Sequence, residues 1–144
     1  MRCNLNMSNY QALVSAIKQT DPTTRKNNFN KLITIRINHV TKGELILIKK
    51  QLRLSSYSKI VRYTIRELNN SFPVLTYRQI LKNEVEPQST DTEIRFLVNK
   101  DLEHTLNLRI KQLHTTQQNL VNLILKVFID HYKKARKYYV NQHS

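Results

Sequence analysis

From Lys31 the chain alternates for about six residues and then changes period. Ile33, Ile35 and Ile37 stand at every second position, with Leu32, Thr34 and Arg36 between them. A period of two predicts a short strand with one apolar face and one polar outward row. Beyond Asn38 the spacing lengthens to that of a helix, with Leu45, Ile48 and Leu52 along one face and Asn38 as the cap. A polar break follows at Ser55 and Ser56, either of which caps the next helix. That helix carries Tyr57, Ile60, Val61, Ile65 and Leu68 in a stripe, with Arg62 and Arg66 on the other side. A lone strand of this length does not stand by itself, so the pattern demands a partner.

The same pattern returns 61 residues later. Ile94, Phe96 and Val98 alternate with Glu93, Arg95 and Leu97, and a helical stripe of Leu102, Leu106, Ile110 and Leu113 follows. Thr116 is the second cap, before a stripe of Val121, Ile124, Leu125, Phe128 and Tyr132. At this offset Asn38 falls on Asn99, Leu45 on Leu106, and Lys50-Gln51-Leu52 on Lys111-Gln112-Leu113. Strand, first helix, polar break and second helix thus coincide in one register.

Five segments result: an N-terminal helix and basic arm (1–30), the first repeat (31–70), a linker (71–91), the second repeat (92–132) and a basic, aromatic tail (133–144). The N-terminal helix, around Tyr10, Leu13 and Ile17, stops near Asp21-Pro22 and leads into "TTRKNN", an arm whose Arg25 and Lys26 are placed to follow a polyanion backbone. Pro73 and Pro87 bracket a short helix at 76–82 in the linker. The tail sets Lys133, Lys134, Arg136 and Lys137 among Tyr132, Tyr138 and Tyr139. It is either an extension of the last helix that touches phosphate or a solvated end, and the mobility common to termini favours the second. Leu120, Leu123, Val127 and Ile129 make the last helix of the second repeat apolar most of the way round, and its covering is to come from the N-terminal helix, the linker or another protomer.

Composition narrows the chemistry. The 144 residues hold 24 Lys and Arg against 10 Asp and Glu, a net charge of +14 that suits a polyanionic partner, nucleic acid before an anionic membrane. The charge is uneven: residues 24–70 carry 11 basic and 2 acidic side chains, whereas residues 92–131 carry 5 and 4. Gly43 is the only glycine, so no phosphate-cradling GxxxxGK[ST] or GxGxxG loop exists. His39, His104, His114, His131 and His143 lack HExxH spacing, and Cys3 stands alone. These features argue against an enzyme, a metal site or a bound cofactor. No apolar run approaches the roughly 18 residues of a membrane span, and the first ten residues lack the apolar stretch of a signal peptide. A cytoplasmic, nucleoid- or plasmid-associated protein with no membrane contact is the expectation.

"TIRINHVTKGELILIKKQLRLSSYSKIVRYTIREL" resembles the ribbon-helix-helix unit of the Arc and MetJ type, a short strand, a helix of about four turns, a Ser- or Thr-capped turn and a second helix. The second copy resembles it with more divergence, and the tandem arrangement is similar in architecture to that of TraY-like conjugation accessory and VirC2-like virulence proteins. Asn38 stands where that family commonly has proline or an acidic residue, and Gly43 weakens the first helix. The resemblance implies a mainly α fold with a short two-stranded antiparallel ribbon, the two copies forming an intramolecular pseudo-dimer. It implies sequence-specific binding of double-stranded DNA in the major groove, by a plasmid-transfer (relaxosome) accessory factor or a transcriptional repressor. The base-reading positions it implies are Leu32, Thr34, Arg36, Glu93, Arg95 and Leu97. Phosphate contacts would come from Ser55, Ser56, Thr116 and Gln117 at the helix starts, with Arg53 and Lys59 beside the first and Arg25 and Lys26 in the arm. The rival reading is an antitoxin-like or scaffold protein whose main partner, a protein or another copy, docks on the apolar last helix.

Overall fold

The computed structural model describes residues 7–20, 29, 31–68 and 89–143. Arg25, Lys26 and the expected 76–82 helix lie outside the described residues. The elements run α1 (Met7–Lys18), β1 (Lys31–Ile37), α2 (His39–Leu52), α3 (Ser58–Glu67), β2 (Thr92–Val98), α4 (Lys100–Leu113) and α5 (Gln117–His143). The fold is mainly helical around one two-stranded antiparallel sheet.

The strands pair so that Leu32 faces Leu97, Ile33 faces Phe96, Thr34 faces Arg95, Ile35 faces Ile94 and Arg36 faces Glu93. Side chains of directly opposed residues share a face. One face therefore carries Ile33, Ile35, Ile37, Ile94, Phe96 and Val98, none more than 3% exposed. Packed against it are Leu45 and Ile48 of α2, Ile60 and Ile65 of α3, Leu102 and Leu106 of α4, and Val121, Ile124 and Leu125 of α5. The two alternating segments meet because each supplies half of an apolar floor that neither completes alone.

Matching local devices start and stop the helix after each strand. The Asn38 side chain accepts from the Val40 N–H at 2.8 Å, and that of Asn99 accepts from the Leu102 N–H at 2.9 Å. Both helices end on a left-handed residue, Arg53 (φ 58) and His114 (φ 53), followed by a closing bond from Leu54 N–H to the Lys49 carbonyl or from Thr115 N–H to the Ile110 carbonyl. Glycine is the usual occupant of such a position; in this chain arginine and histidine take it. Between the helices, Ser56 accepts from the Ser58 N–H at 3.0 Å and Thr116 from the Asn119 N–H at 3.2 Å, so Ser56, not Ser55, holds the start of α3.

Of the two readings of the tail, the favoured solvated end is corrected: the last helix extends through it. α5 runs 27 residues, through Lys133 and on to His143. Its second half is held from two sides: Ala135 and Tyr132 are buried, the Tyr139 ring stacks at 4.9 Å on Tyr10 of α1, and Lys133 pairs with Glu44 of α2. Tyr132 donates to the Gln51 side chain at 2.8 Å and meets the Tyr10 hydroxyl at 3.3 Å. α1 buries Leu13 and Ile17 in the same cluster as Leu123, Phe128 and Ile129, so the N-terminal helix covers the apolar last helix.

Gly43 sits exposed inside α2, and a β-carbon there meets nothing within 4 Å. Gly43→Ala should stabilise the protein by about 1 kcal/mol through helix propensity, raising the thermal midpoint by about 3 °C. A lowered midpoint would mean that α2 is not a regular helix at this point.

Candidate nucleic-acid interface

The face of the sheet opposite the core carries three cross-strand pairs in a row: Leu32–Leu97, Thr34–Arg95 and Arg36–Glu93. All six sequence-selected residues are thus brought together. Five are exposed, and Glu93 is half-buried. The register is symmetric about the middle pair, because Thr34 and Arg95 occupy the same position in the two repeats.

The charged side chains of this face are pre-arranged by neighbours. Arg95 Nη2 donates to Glu93 Oε1 at 3.2 Å along the same strand. Arg36 does not reach across to Glu93; its Nη2 donates to the Thr90 carbonyl at 2.9 Å, in the approach to β2. Lys42 donates to the Glu93 carbonyl at 3.0 Å. Next to Thr90, Asp91 accepts from the His39 N–H at 2.8 Å and lies 2.6 Å from His39 Nδ1. The hydrogen bond to the His39 side chain holds the Asp91 carboxyl below the usual carboxylate range. This carboxylate caps the start of α2, where the helix dipole favours an anion.

A two-stranded sheet has two open edges, and unpaired backbone there invites further strands. Both edges are met by side chains from the second helix of a repeat. At β1, the Arg36 N–H donates to Gln118 Oε1 at 3.2 Å, and the Arg36 carbonyl accepts from Asn122 Nδ2 at 3.0 Å. At β2, the Leu97 carbonyl accepts from Arg62 Nη1 at 3.1 Å, and the Arg62 guanidinium lies 4.5 Å over the Phe29 ring. Arg36 and Leu97 are again equivalent positions of the two repeats. Sequence reasoning places Arg62 on the outer side of its helix without a contact, and assigns nothing to Gln118 and Asn122. The available signal was the polar pair Gln118 and Asn122, one turn apart on an otherwise apolar helix.

These contacts put the early turns of α3 and α5 on opposite edges of the sheet, near opposite ends of its outward row. Ser56 and Thr116 are exposed there while capping. Ser55 is exposed beside Ser56, Gln117 opens α5 half-buried, and Arg53 is exposed in its left-handed turn. Lys59 is turned elsewhere: its Nζ donates at 3.2 Å to the Lys18 carbonyl at the end of α1, where a cation meets the negative end of the helix dipole. It ties α1 to α3.

Among the described residues no group of three His, Cys, Asp or Glu is placed to hold a metal, and no helix is long and apolar enough to cross a membrane. No protein-family model, curated protein or solved structure matches the chain. The functional reading therefore stands on the geometry of the outward row and on the charge around it.

Proposed function

We propose that the chain is a tandem ribbon-helix-helix protein, an intramolecular pseudo-dimer that recognises a short duplex DNA site by laying the β1–β2 ribbon in the major groove. The observation that carries this reading is the outward row itself. Six side chains stand in three opposed pairs on a two-stranded ribbon whose other face is core and whose edges are each met at one residue by a helix side chain. A ribbon of two strands fits the major groove, where each base pair presents its own donor and acceptor pattern. The early turns of α3 and α5 lie at either side of such a ribbon, so their N–H groups and the Ser56 and Thr116 hydroxyls face the phosphates that line the groove. A charge of +14 supplies the non-specific attraction.

Arg95 and Thr34 read bases at the centre of the site. Arg36 joins them once it exchanges the Thr90 carbonyl for a base edge. Glu93 orients Arg95 and repels phosphate. Because the paired positions hold different residues, the preferred site is not a perfect palindrome. A plasmid-transfer accessory factor and a transcriptional repressor both use such binding, and the tandem form favours the first. The alternative, an antitoxin-like or scaffold protein, requires an uncovered apolar face on the last helix. Leu120, Leu123 and Ile129 of α5 are instead buried within the chain, which favours the DNA reading.

Selection from a randomised duplex pool, followed by a salt series on the winner, tests the proposal. Selected duplexes should share one short asymmetric motif, and log K should fall linearly with log salt with a slope of several units. A pool that emerges unenriched would remove sequence recognition, and failure to retain any duplex at low salt would remove DNA binding altogether.

A further inference from the structure

Resting on that reading, we infer that the Leu32–Leu97 pair is a reader of thymine methyl groups and gives the DNA site a fixed polarity, thymines under one end of the ribbon and hydrogen-bonding base edges under the other. Leu32 is 55% exposed and Leu97 41%. A single exposed leucine needs no explanation. Here two stand directly opposite each other, in register, on the sheet face turned to solvent. Opposed β-carbons lie about 5 Å apart, so the pair forms one continuous apolar spot.

The rest of the row makes the spot directional. Outward residues along a strand are about 6.7 Å apart, roughly two base-pair steps of 3.4 Å. The three pairs therefore sit at three levels: leucines, then Thr34 with Arg95, then Arg36 with Glu93. Only the first level lacks a hydrogen-bonding side chain, and it offers aliphatic carbon alone. In the major groove the aliphatic feature is the C5-methyl of thymine. Every base pair also presents polar groups there, but only thymine adds a methyl that the leucines can cover; a G·C pair offers donors and acceptors for which they have no partner. The opposite end presents the Arg36 guanidinium, suited to a guanine edge, beside the carboxylate that orients Arg95. Thus the chain distinguishes the two directions in which it can lie on a duplex by pairing unlike ends of one ribbon with unlike bases.

Deoxyuridine in place of thymine tests this directly, because it removes the methyl group and leaves the Watson–Crick edge intact. Using the duplex selected above, each thymine is replaced in turn and affinity is measured by fluorescence anisotropy, alongside sedimentation of the free protein. Affinity should fall about fourfold per contacted methyl, as burial of one carbon implies. The sensitive positions should cluster at one end of the contacted stretch. In the combined Leu32→Ala and Leu97→Ala variant, whose exposed positions leave the core untouched, the deoxyuridine penalty should vanish while salt-dependent binding persists. Specific binding with no methyl sensitivity, or with equal sensitivity at both ends, would overturn the leucine contact alone. A variant that changes the sedimentation of the free protein but not its methyl response would assign the leucines to contact between copies. Absence of any salt-dependent duplex binding would instead bring down the DNA reading, and this inference with it.

Discussion

Phe96→Ala will lower the stability of the protein by about 3–5 kcal/mol, the usual cost of removing a buried aromatic ring. Phe96 is 2% exposed, faces Ile33 across the strands and belongs to the single cluster that joins both strands to all five described helices. Against a total of about 5–15 kcal/mol for a typical domain, that is a large fraction. The thermal midpoint should drop by roughly 10 °C, at about 2–4 °C per kcal/mol. Leu97→Ala, one residue on, is the matched control. Its side chain stands on the outer face, and the change should stay within about 0.5 kcal/mol. Equal losses at 96 and 97, read by denaturant or thermal melts, would contradict the alternation on which the ribbon is built.

Arg95→Ala should produce the largest change in binding. Arg95 occupies the centre of the outward row, with its side chain 67% exposed and its guanidinium oriented by Glu93. A guanidinium set bidentately on guanine O6 and N7 discriminates by about 1–3 kcal/mol, so affinity for the selected duplex should fall by about 5- to 150-fold. Random duplex should lose only the share due to one positive charge, and the ratio of specific to random binding should shrink accordingly. Lys134→Ala is a suitable reference, since Lys134 lies far along α5, paired with Asp130 at 3.1 Å. Equal loss on selected and random duplex would leave Arg95 a phosphate contact and empty the proposed central reading position. Arg36→Ala is the less clean test, because the same change also frees the Thr90 carbonyl.

Much of this architecture is local, and local features are legible. Alternation at 33, 35, 37 and at 94, 96, 98 names the buried face of each strand, since the backbone sends successive side chains to opposite sides whatever lies beyond. Asn38 and Asn99 announce helix starts because the capping bond spans two or three residues. The stripes of α2 to α5 follow in the same way from a period of 3.6. Serine at the polar break was ambiguous for a comparable reason: Ser55 and Ser56 have the same capping chemistry, and only the path of the turn selects Ser56.

Other features are decided by partners distant in the chain. The tail reads as polar and terminal, yet it is helix because Tyr10, Glu44 and Gln51 receive it. Lys59 has the charge and position of a phosphate contact, but the end of α1 lies closer to hand. Arg36 bonds Thr90, 54 positions away, and Asn122 bonds the Arg36 carbonyl across 86.

By itself, then, the amino-acid order determined the two strands, their inner and outer rows, the helical stripes and the asparagine caps, because each depends on side chains a few residues apart. Tertiary structure alone decided which strand edge meets which partner, that Thr34 and Arg95 share the central level, that α1 covers α5, and which cations are already engaged. Those outcomes depend on surfaces assembled from remote segments, and no short-range periodicity encodes them.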